Sequence, residues 1–206
     1  MSLKDILLIT DMDGTLLGRD FKIPQRNIEA VHRFMDQGGN FAIATGRSKM
    51  SGAQYFRQTN PNAPCVLLNG AVLYDFRKKE LLMKRCLPSG AMEYLERIEG
   101  LFPEIGIEVY TDEEIYITRD SGYVQKHIEN ENLNCLFQTP GGNVSVCKGV
   151  FAGEPQLIQM ISDYCLSHPI PGVRFVASGD IYFEMLPEGV DKGLGLKELI
   201  LRTNFR

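Results

Sequence analysis

Three short apolar runs, each followed at once by polar or glycine residues, constrain the fold of this 206-residue chain more than any other feature. They occupy residues 6–10, 41–44 and 66–68, and a helical pattern that Pro24 opens separates the first two. Short continuous apolar runs are typical of strands that are covered on both faces, as in a parallel sheet with helical crossovers. The spacing therefore predicts a doubly wound α/β unit.

Polar residues and glycines follow all three predicted strands. The segments are Asp11-Met12-Asp13-Gly14-Thr15, Thr45-Gly46-Arg47 and Asn69-Gly70-Ala71. Ligands of such sheets bind at the carboxyl ends of the strands. The three segments therefore predict a functional site at one edge of the sheet.

Two aspartates one residue apart are the sharpest part of this pattern. Asp11 and Asp13 can face one site only if the chain turns between them, and Gly14 makes such a turn easy. One carboxylate could then attack phosphorus while the other transfers protons. Carboxylate and phosphate repel by roughly 4 kcal/mol per unit-charge pair at about 4 Å, so the site needs a cation such as Mg²⁺. An aspartate turn without function is the alternative for Asp-x-Asp taken alone.

The middle of the chain has a different pattern, with amphipathic helices between strands that read as an antiparallel sheet. We expect residues 85–187 to form a separate α+β domain, and residues 1–84 with 188–206 to form the other domain. The predicted fold class is α/β, a Rossmann-like doubly wound parallel-sheet core with an inserted α+β domain.

Composition narrows the range of partners. The chain has 22 basic and 26 acidic residues, a net charge of −4, which disfavours nucleic-acid and anionic-membrane surfaces. No apolar run is long enough to span a membrane, and no signal peptide is visible, so a cytoplasmic protein is expected. The oligomeric state cannot be read from the sequence. We expect the five cysteines to be reduced and mostly buried thiols: Cys65, Cys86, Cys135, Cys147 and Cys165.

The string Asp11-Met12-Asp13-Gly14-Thr15-Leu16 resembles the first motif of the haloacid dehalogenase-like superfamily. Thr45-Gly46-Arg47 resembles its second motif. Asn69-Gly70-Ala71 and Glu188-Gly189-Val190-Asp191-Lys192-Gly193 are similar to segments of the Cof-like, type IIB branch. The resemblance implies a cap domain inserted between the second and third motifs, where this chain has its α+β domain.

The resemblance also implies residue roles. Asp11 would be the nucleophile, and Asp13 the general acid and then base. Asp11 and the backbone carbonyl of Asp13 would hold Mg²⁺. Thr45 and the amide of Gly46 would bind the phosphoryl oxygens, and Lys192 would neutralise the charge of nucleophile and phosphate.

The residues alone leave several of these roles open. Thr45 by itself could be a strand-end cap, and Asn69 could belong to an ordinary turn or to the substrate site. Arg47 could contact the substrate phosphate or be a solvated arginine at a helix start. The three histidines match neither a catalytic triad nor a metal spacing, so structural or exposed positions are expected for them.

The predicted function is Mg²⁺-dependent hydrolysis of a small phosphorylated metabolite, such as a sugar phosphate, through an aspartyl-phosphate. A phosphoryl-transferring mutase of the same branch is one alternative. The family pattern continues with an acidic Gly-Asp-x-x-x-Asp-like motif that supplies a further Mg²⁺ ligand, whereas this sequence ends at Arg206. We therefore expect a missing C-terminal part of the core, and a second alternative is a non-catalytic protein that binds a phosphorylated ligand.

Overall fold

The computed structural model describes residues 2–142, 144–203 and 205 of the chain. The chain divides into two compact units. Unit 1 combines Met1–Lys84 with Val190–Arg206, and unit 2 is the segment Arg85–Gly189. Unit 2 is therefore an insertion in the sequence of unit 1.

Unit 1 begins with the predicted alternation of strands and helices and then adds a hairpin. Its apolar runs form the interior, where Phe41, Ile43 and Leu67 are almost completely buried. Burial of a side chain of this size contributes about 1.5–3 kcal/mol. The elements in chain order are β1 (Leu7–Thr10), α1 (Gln25–Asp36), β2 (Asn40–Ile43), α2 (Ala53–Thr59), β3 (Cys65–Leu67), β4 (Val72–Asp75) and β5 (Glu80–Lys84).

The first three strands lie side by side in parallel. β1 pairs with β2 along its whole length. β3 continues beside β2 through a parallel bridge between Ala44 and Val66, and the amide of Thr45 donates to the carbonyl oxygen of Val66 at 2.9 Å. The carboxyl ends of β1, β2 and β3 therefore meet at one edge, as the sequence predicted.

Strands β4 and β5 were not predicted: β4 pairs antiparallel with β3, and β5 pairs antiparallel with β4. The chain reverses directly after β3, because Leu68, Asn69 and Gly70 all have positive φ. A tight reversal of this kind produces an antiparallel neighbour, whereas a parallel one needs a long crossover. The predicted parallel pairing therefore holds for β1, β2 and β3 and does not continue into β4 and β5.

Unit 2 is a five-stranded antiparallel sheet with helices, as expected for an α+β domain. Helices α3 and α5 contribute to one hydrophobic core with the sheet residues Ile107, Phe151 and Phe183. The elements are α3 (Ala91–Leu101), β6 (Gly106–Tyr110), β7 (Ile115–Arg119), α4 (Gly122–Glu131), β8 (Lys148–Ala152), α5 (Pro155–Ser167), β9 (Val173–Ala177) and β10 (Tyr182–Pro187), and the sheet order is β7-β6-β8-β10-β9.

Strand β8 is shorter than the alternating pattern that contains it. The alternation covers residues 145–151, but β8 begins at Lys148. The carbonyl oxygen of Val146 instead accepts a hydrogen bond from the amide of Leu87 at 2.7 Å. The amide of Cys147 donates to the carbonyl oxygen of Tyr110 in β6 at 2.7 Å, so the chain leaves the sheet at Val146.

The last helix, α6 (Lys192–Arg202), belongs to unit 1. Its Gly195 lies so close to β3 that a Cβ there would overlap the side chain of Val66. Within the described part of the chain, no helix combines the length and apolar character needed to cross a membrane. All five cysteines are free in the structure, and Cys65, Cys147 and Cys165 are buried.

Candidate active site

The turn after β1 determines how the two aspartates are presented. Asp11 is extended, and its Oδ1 accepts a hydrogen bond from the amide of Met12 at 2.7 Å. One wide turn spans Met12–Leu16, and Gly14 in it has φ +73. No atom lies within 4 Å of where a Gly14 Cβ would be, so the left-handed backbone, not space, favours glycine there. The glycine allows the chain to turn away from the strand alternation that would separate the two carboxylates.

Lys192 binds Asp11 although 181 residues separate them in the sequence. The distance from Lys192 Nζ to Asp11 Oδ1 is 2.8 Å, and each side chain is 40% exposed. The Met12 amide also donates a hydrogen bond to Oδ1 of Asp11. Among the described residues, no donor is bound to Oδ2 of Asp11. The ion pair therefore fixes the carboxylate and leaves one oxygen for a ligand.

The guanidinium of Arg47 binds the carboxylate of Asp13 through two nitrogens, Nε and Nη2. Arg47 Nη2 lies 2.8 Å from Asp13 Oδ1, and Nε lies 2.9 Å from Oδ2. Its guanidinium carbon is 5.4 Å from the ring centroid of Tyr55, and Arg47 is only 5% exposed. The alternative of a solvated arginine at a helix start is therefore wrong, because Arg47 is buried and α2 begins only at Ala53.

The ends of β2 and β3 are bound together by their backbones. The amide of Asn69 donates to the carbonyl oxygen of Thr45 at 3.0 Å, and that of Leu68 donates to the carbonyl oxygen of Arg47 at 3.1 Å. The hydroxyl of Thr45, which is fully buried, accepts from the Arg47 amide at 3.1 Å. Thr45 thus makes the local cap that the sequence left open, and its hydroxyl can still donate one hydrogen bond. A Cβ on Gly46 would overlap Oδ1 of Asn69, so the second and third segments pack closely.

Sequence reasoning missed the residues that bring Lys192 to this edge. Gly70 has φ +106, and a Cβ there would overlap the carbonyl oxygen of Asp191. The Asp191 side chain caps α6 by accepting from the amide of Leu194 at 2.7 Å. Gly195 then packs against β3. The available signal was Gly195, since a glycine inside a helical pattern often marks a close packing contact.

The oxygens at the end of β1 suit a sparsely held magnesium ion. In residues 2–142, 144–203 and 205, no cluster of three or more His, Cys, Asp or Glu side chains could hold a metal. Mg²⁺ usually keeps several waters and takes one or two carboxylates together with substrate phosphate. The Asp11 carboxylate and the Asp13 backbone carbonyl fit this role, although they would not form an all-protein cage.

Comparison with known proteins finds relatives of this chain. The sequence profile of the family described as haloacid dehalogenase-like hydrolase matches residues 8–206. A protein of Mycoplasma pneumoniae named "Putative phosphatase" is 30% identical over 96% of this chain and 76% of its own length.

Solved structures share the fold at lower identity. A haloacid dehalogenase-like hydrolase from Bacteroides thetaiotaomicron superimposes with a TM-score of 0.86 at 22% identity, over 97% of this chain and 77% of its own. A structure described as a subclass IIB sugar phosphatase of the same superfamily has a TM-score of 0.81 at 18% identity, over 98% of this chain and 77% of its own.

Proposed function

The chain belongs to the haloacid dehalogenase-like hydrolases, in their Cof-like branch, and is a hydrolase of the phosphatase class; we propose that it hydrolyses small phosphate monoesters through an aspartyl-phosphate on Asp11. The observation that carries the proposal is the contact of Lys192 Nζ with Asp11 Oδ1 at 2.8 Å. A lysine on one carboxylate oxygen orients the other toward a ligand and offsets the repulsion between carboxylate and phosphate.

In the first step Oδ2 of Asp11 attacks phosphorus and forms an O–P bond. The bond between phosphorus and the ester oxygen breaks, and that oxygen leaves with its electron pair and takes a proton from Asp13. In the second step Asp13 removes a proton from water as the water oxygen attacks phosphorus. The Asp11 O–P bond then breaks, which releases orthophosphate and restores the carboxylate.

Arg47 holds Asp13 in the absence of substrate. The guanidinium occupies both carboxylate oxygens of Asp13 and cannot itself give up a proton. A phosphoryl group is a competing bidentate acceptor of the same geometry. Substrate binding would therefore draw Arg47 away from Asp13, and the freed carboxyl group would serve as acid and base.

The remaining roles follow from position. The backbone amide of Gly46 and the hydroxyl of Thr45 lie at the end of β2 and donate to phosphoryl oxygens, and Asn69 supports Gly46 from the next strand end. The Asp11 carboxylate and the backbone carbonyl of Asp13 would hold Mg²⁺, which when bound would supply positive charge that stabilises the phosphoryl group. The substrate class we propose is a sugar phosphate or similar small metabolite, which the resemblance to subclass IIB sugar phosphatases supports.

The test is phosphate release from p-nitrophenyl phosphate and a panel of sugar phosphates, with Mg²⁺ or with EDTA. We expect release that requires Mg²⁺ and that is lost in Asp11→Asn. The matched control is Asp36→Asn, the same change at an exposed position at the end of α1, which should keep full activity.

Three results would contradict parts of the proposal. Full activity of Asp11→Asn would reject the aspartyl-phosphate. A sugar bisphosphate formed in place of orthophosphate would favour the mutase alternative. Failure of the folded wild-type chain to release phosphate from any substrate, while it still binds orthophosphate, would favour a non-catalytic phospholigand-binding protein.

A further inference from the structure

A second pocket lies in unit 1, between α2 and the hairpin of β4 and β5. Its volume is about 340 Å³, and none of the proposed catalytic residues lines it. A volume of this size lies near the lower end of the range for small-molecule sites, about 300–1,000 Å³. The lining consists mainly of three aromatic and three cationic side chains: Phe56, Tyr74, Phe76, Lys49, Arg57 and Lys79.

The aromatic side chains form one continuous surface. The rings of Phe56 and Phe76 stack with centroids 4.2 Å apart, and Tyr74 meets Phe76 edge-on at 4.9 Å. Phe56 is buried and anchors the surface, whereas Tyr74 and Phe76 are partly exposed. Partly exposed rings held by a buried one offer a preorganised face for a planar ring.

The charge of the lining is of one sign. Lys49, Arg57 and Lys79 contribute cations, and among the described residues no Asp or Glu lines the pocket. Lys49 Nζ lies 5.0 Å from the ring centroid of Tyr74, so a cation already sits against the aromatic surface. Cations gathered at one cavity repel one another, and a bound anion removes this repulsion.

We propose that this pocket binds a small aromatic anion of the nucleoside monophosphate class. The base stacks on the surface of Tyr74 and Phe76, and the phosphate is held by Arg57 and Lys79. This second site is separate from the phosphatase chemistry and does not depend on it.

The test is calorimetric binding of AMP to the full chain in EDTA, which suppresses the proposed Mg²⁺-dependent hydrolysis. Phe76→Leu and Arg57→Gln should each weaken binding by about tenfold or more, since base stacking and phosphate contacts each contribute on that scale. Arg57 is exposed and leucine keeps position 76 apolar, so both variants should fold. The matched control is Lys78→Gln, an exposed lysine of the same hairpin that does not line the pocket.

A second control separates this site from the catalytic one. Lys192→Gln should bind AMP as the wild type does, and Phe76→Leu should hydrolyse p-nitrophenyl phosphate at the wild-type rate. The proposal fails if the wild type does not bind AMP. It also fails if Lys192→Gln weakens AMP binding and Phe76→Leu does not, or if orthophosphate alone binds as tightly as AMP.

Discussion

The two units use ion pairs in opposite ways. At the strand ends of unit 1, Asp11 and Lys192 are each 40% exposed. In unit 2, Glu108 is fully buried, and the side chain of its partner His127 is only 16% exposed. Exposed pairs contribute little to stability and remain available to ligands, whereas removal of one partner of a buried pair is costly. We therefore expect the exposed Asp11–Lys192 pair to serve chemistry and the buried Glu108–His127 pair to serve stability.

The buried polar cluster of unit 2 consists of Glu108, Tyr110, His127 and Glu131. The Tyr110 hydroxyl donates to Glu108 Oε2 at 2.6 Å, and His127 Nδ1 lies 2.8 Å from Glu108 Oε1. His127 Nε2 lies 3.5 Å from Glu131 Oε1. Burial alone would lower the pKa of His127, but the hydrogen bonds and charges of Glu108 and Glu131 raise it to about 9. His127 is therefore an imidazolium at neutral pH, with both nitrogens donating.

The largest effect we expect is on stability, from His127→Gln. The substitution removes the cation that faces the buried Glu108 carboxylate. Loss of one partner of a buried pair costs about 3–5 kcal/mol. Urea unfolding at pH 7, followed by circular dichroism, measures this change in the free energy of unfolding.

The control for this prediction is His168→Gln in the same unit, where the histidine is exposed. We expect it to change the free energy of unfolding much less. Equal losses in the two variants would mean that the buried cluster of unit 2 has no special role in stability.

The second effect is on catalysis, from Lys192→Gln. Removal of one charge that stabilises the transition state costs about a hundredfold in rate, or about 3 kcal/mol. Stability should change by no more than about 1 kcal/mol, because the ion pair with Asp11 is half-exposed. The measurements are kcat for p-nitrophenyl phosphate and urea unfolding of the same protein.

Lys197→Gln makes the same change at an exposed position of α6 and should keep the wild-type rate. If Lys192→Gln lowered stability as much as His127→Gln, the contrast between the two units would be lost.

The third effect is the pH dependence of stability in unit 2. The pKa of His127 is about 9 in the folded protein and 6.5 for an ordinary histidine. A raised pKa stabilises the fold fully below about pH 6.5, and the contribution disappears as pH rises through about 9. The free-energy advantage of wild type over His127→Gln should therefore shrink by roughly 2–3 kcal/mol between pH 6.5 and 9.5.

The tyrosines and the cysteine whose pKa values the Glu108 charge raises titrate above this window. The pKa of Tyr182 is raised to about 12 by burial and by the charges of Glu108 and Glu131, and burial raises that of Cys135 to about 11. Tyr110, which donates to Glu108, also has a pKa raised well above 10 by its burial. An advantage of wild type that stayed constant from pH 6.5 to 9.5 would show that His127 is not charged in the fold.

The sequence predicted the elements that depend on local pattern and missed those that depend on close packing. Apolar runs identified the first three strands and the polar segments that follow them. The buried state of Arg47 was not predictable, because it depends on Asp13, which lies 34 residues earlier.

The same limit applies in unit 2. Glu108 and His127 meet only because α4 packs beside β6, and neither residue belongs to a motif. The hairpin of β4 and β5 could have been predicted, because the apolar run 71–74 ends in a charged turn. It was missed because it contains no functional motif.

The smallest effect we expect lies in that hairpin, at Lys79. Its φ is +55, a left-handed conformation that costs a residue with a Cβ about 1 kcal/mol or more, whereas glycine adopts it freely. Lys79→Gly should therefore raise the free energy of unfolding by about 1 kcal/mol.

Lys78→Gly is the control, because Lys78 does not have a positive φ and its replacement only adds freedom to the unfolded chain. The measurement is the urea midpoint of unfolding of each variant. A midpoint that rises only in Lys79→Gly places the strain at that residue. Midpoints that fall in both variants would show that the turn holds Lys79 without strain.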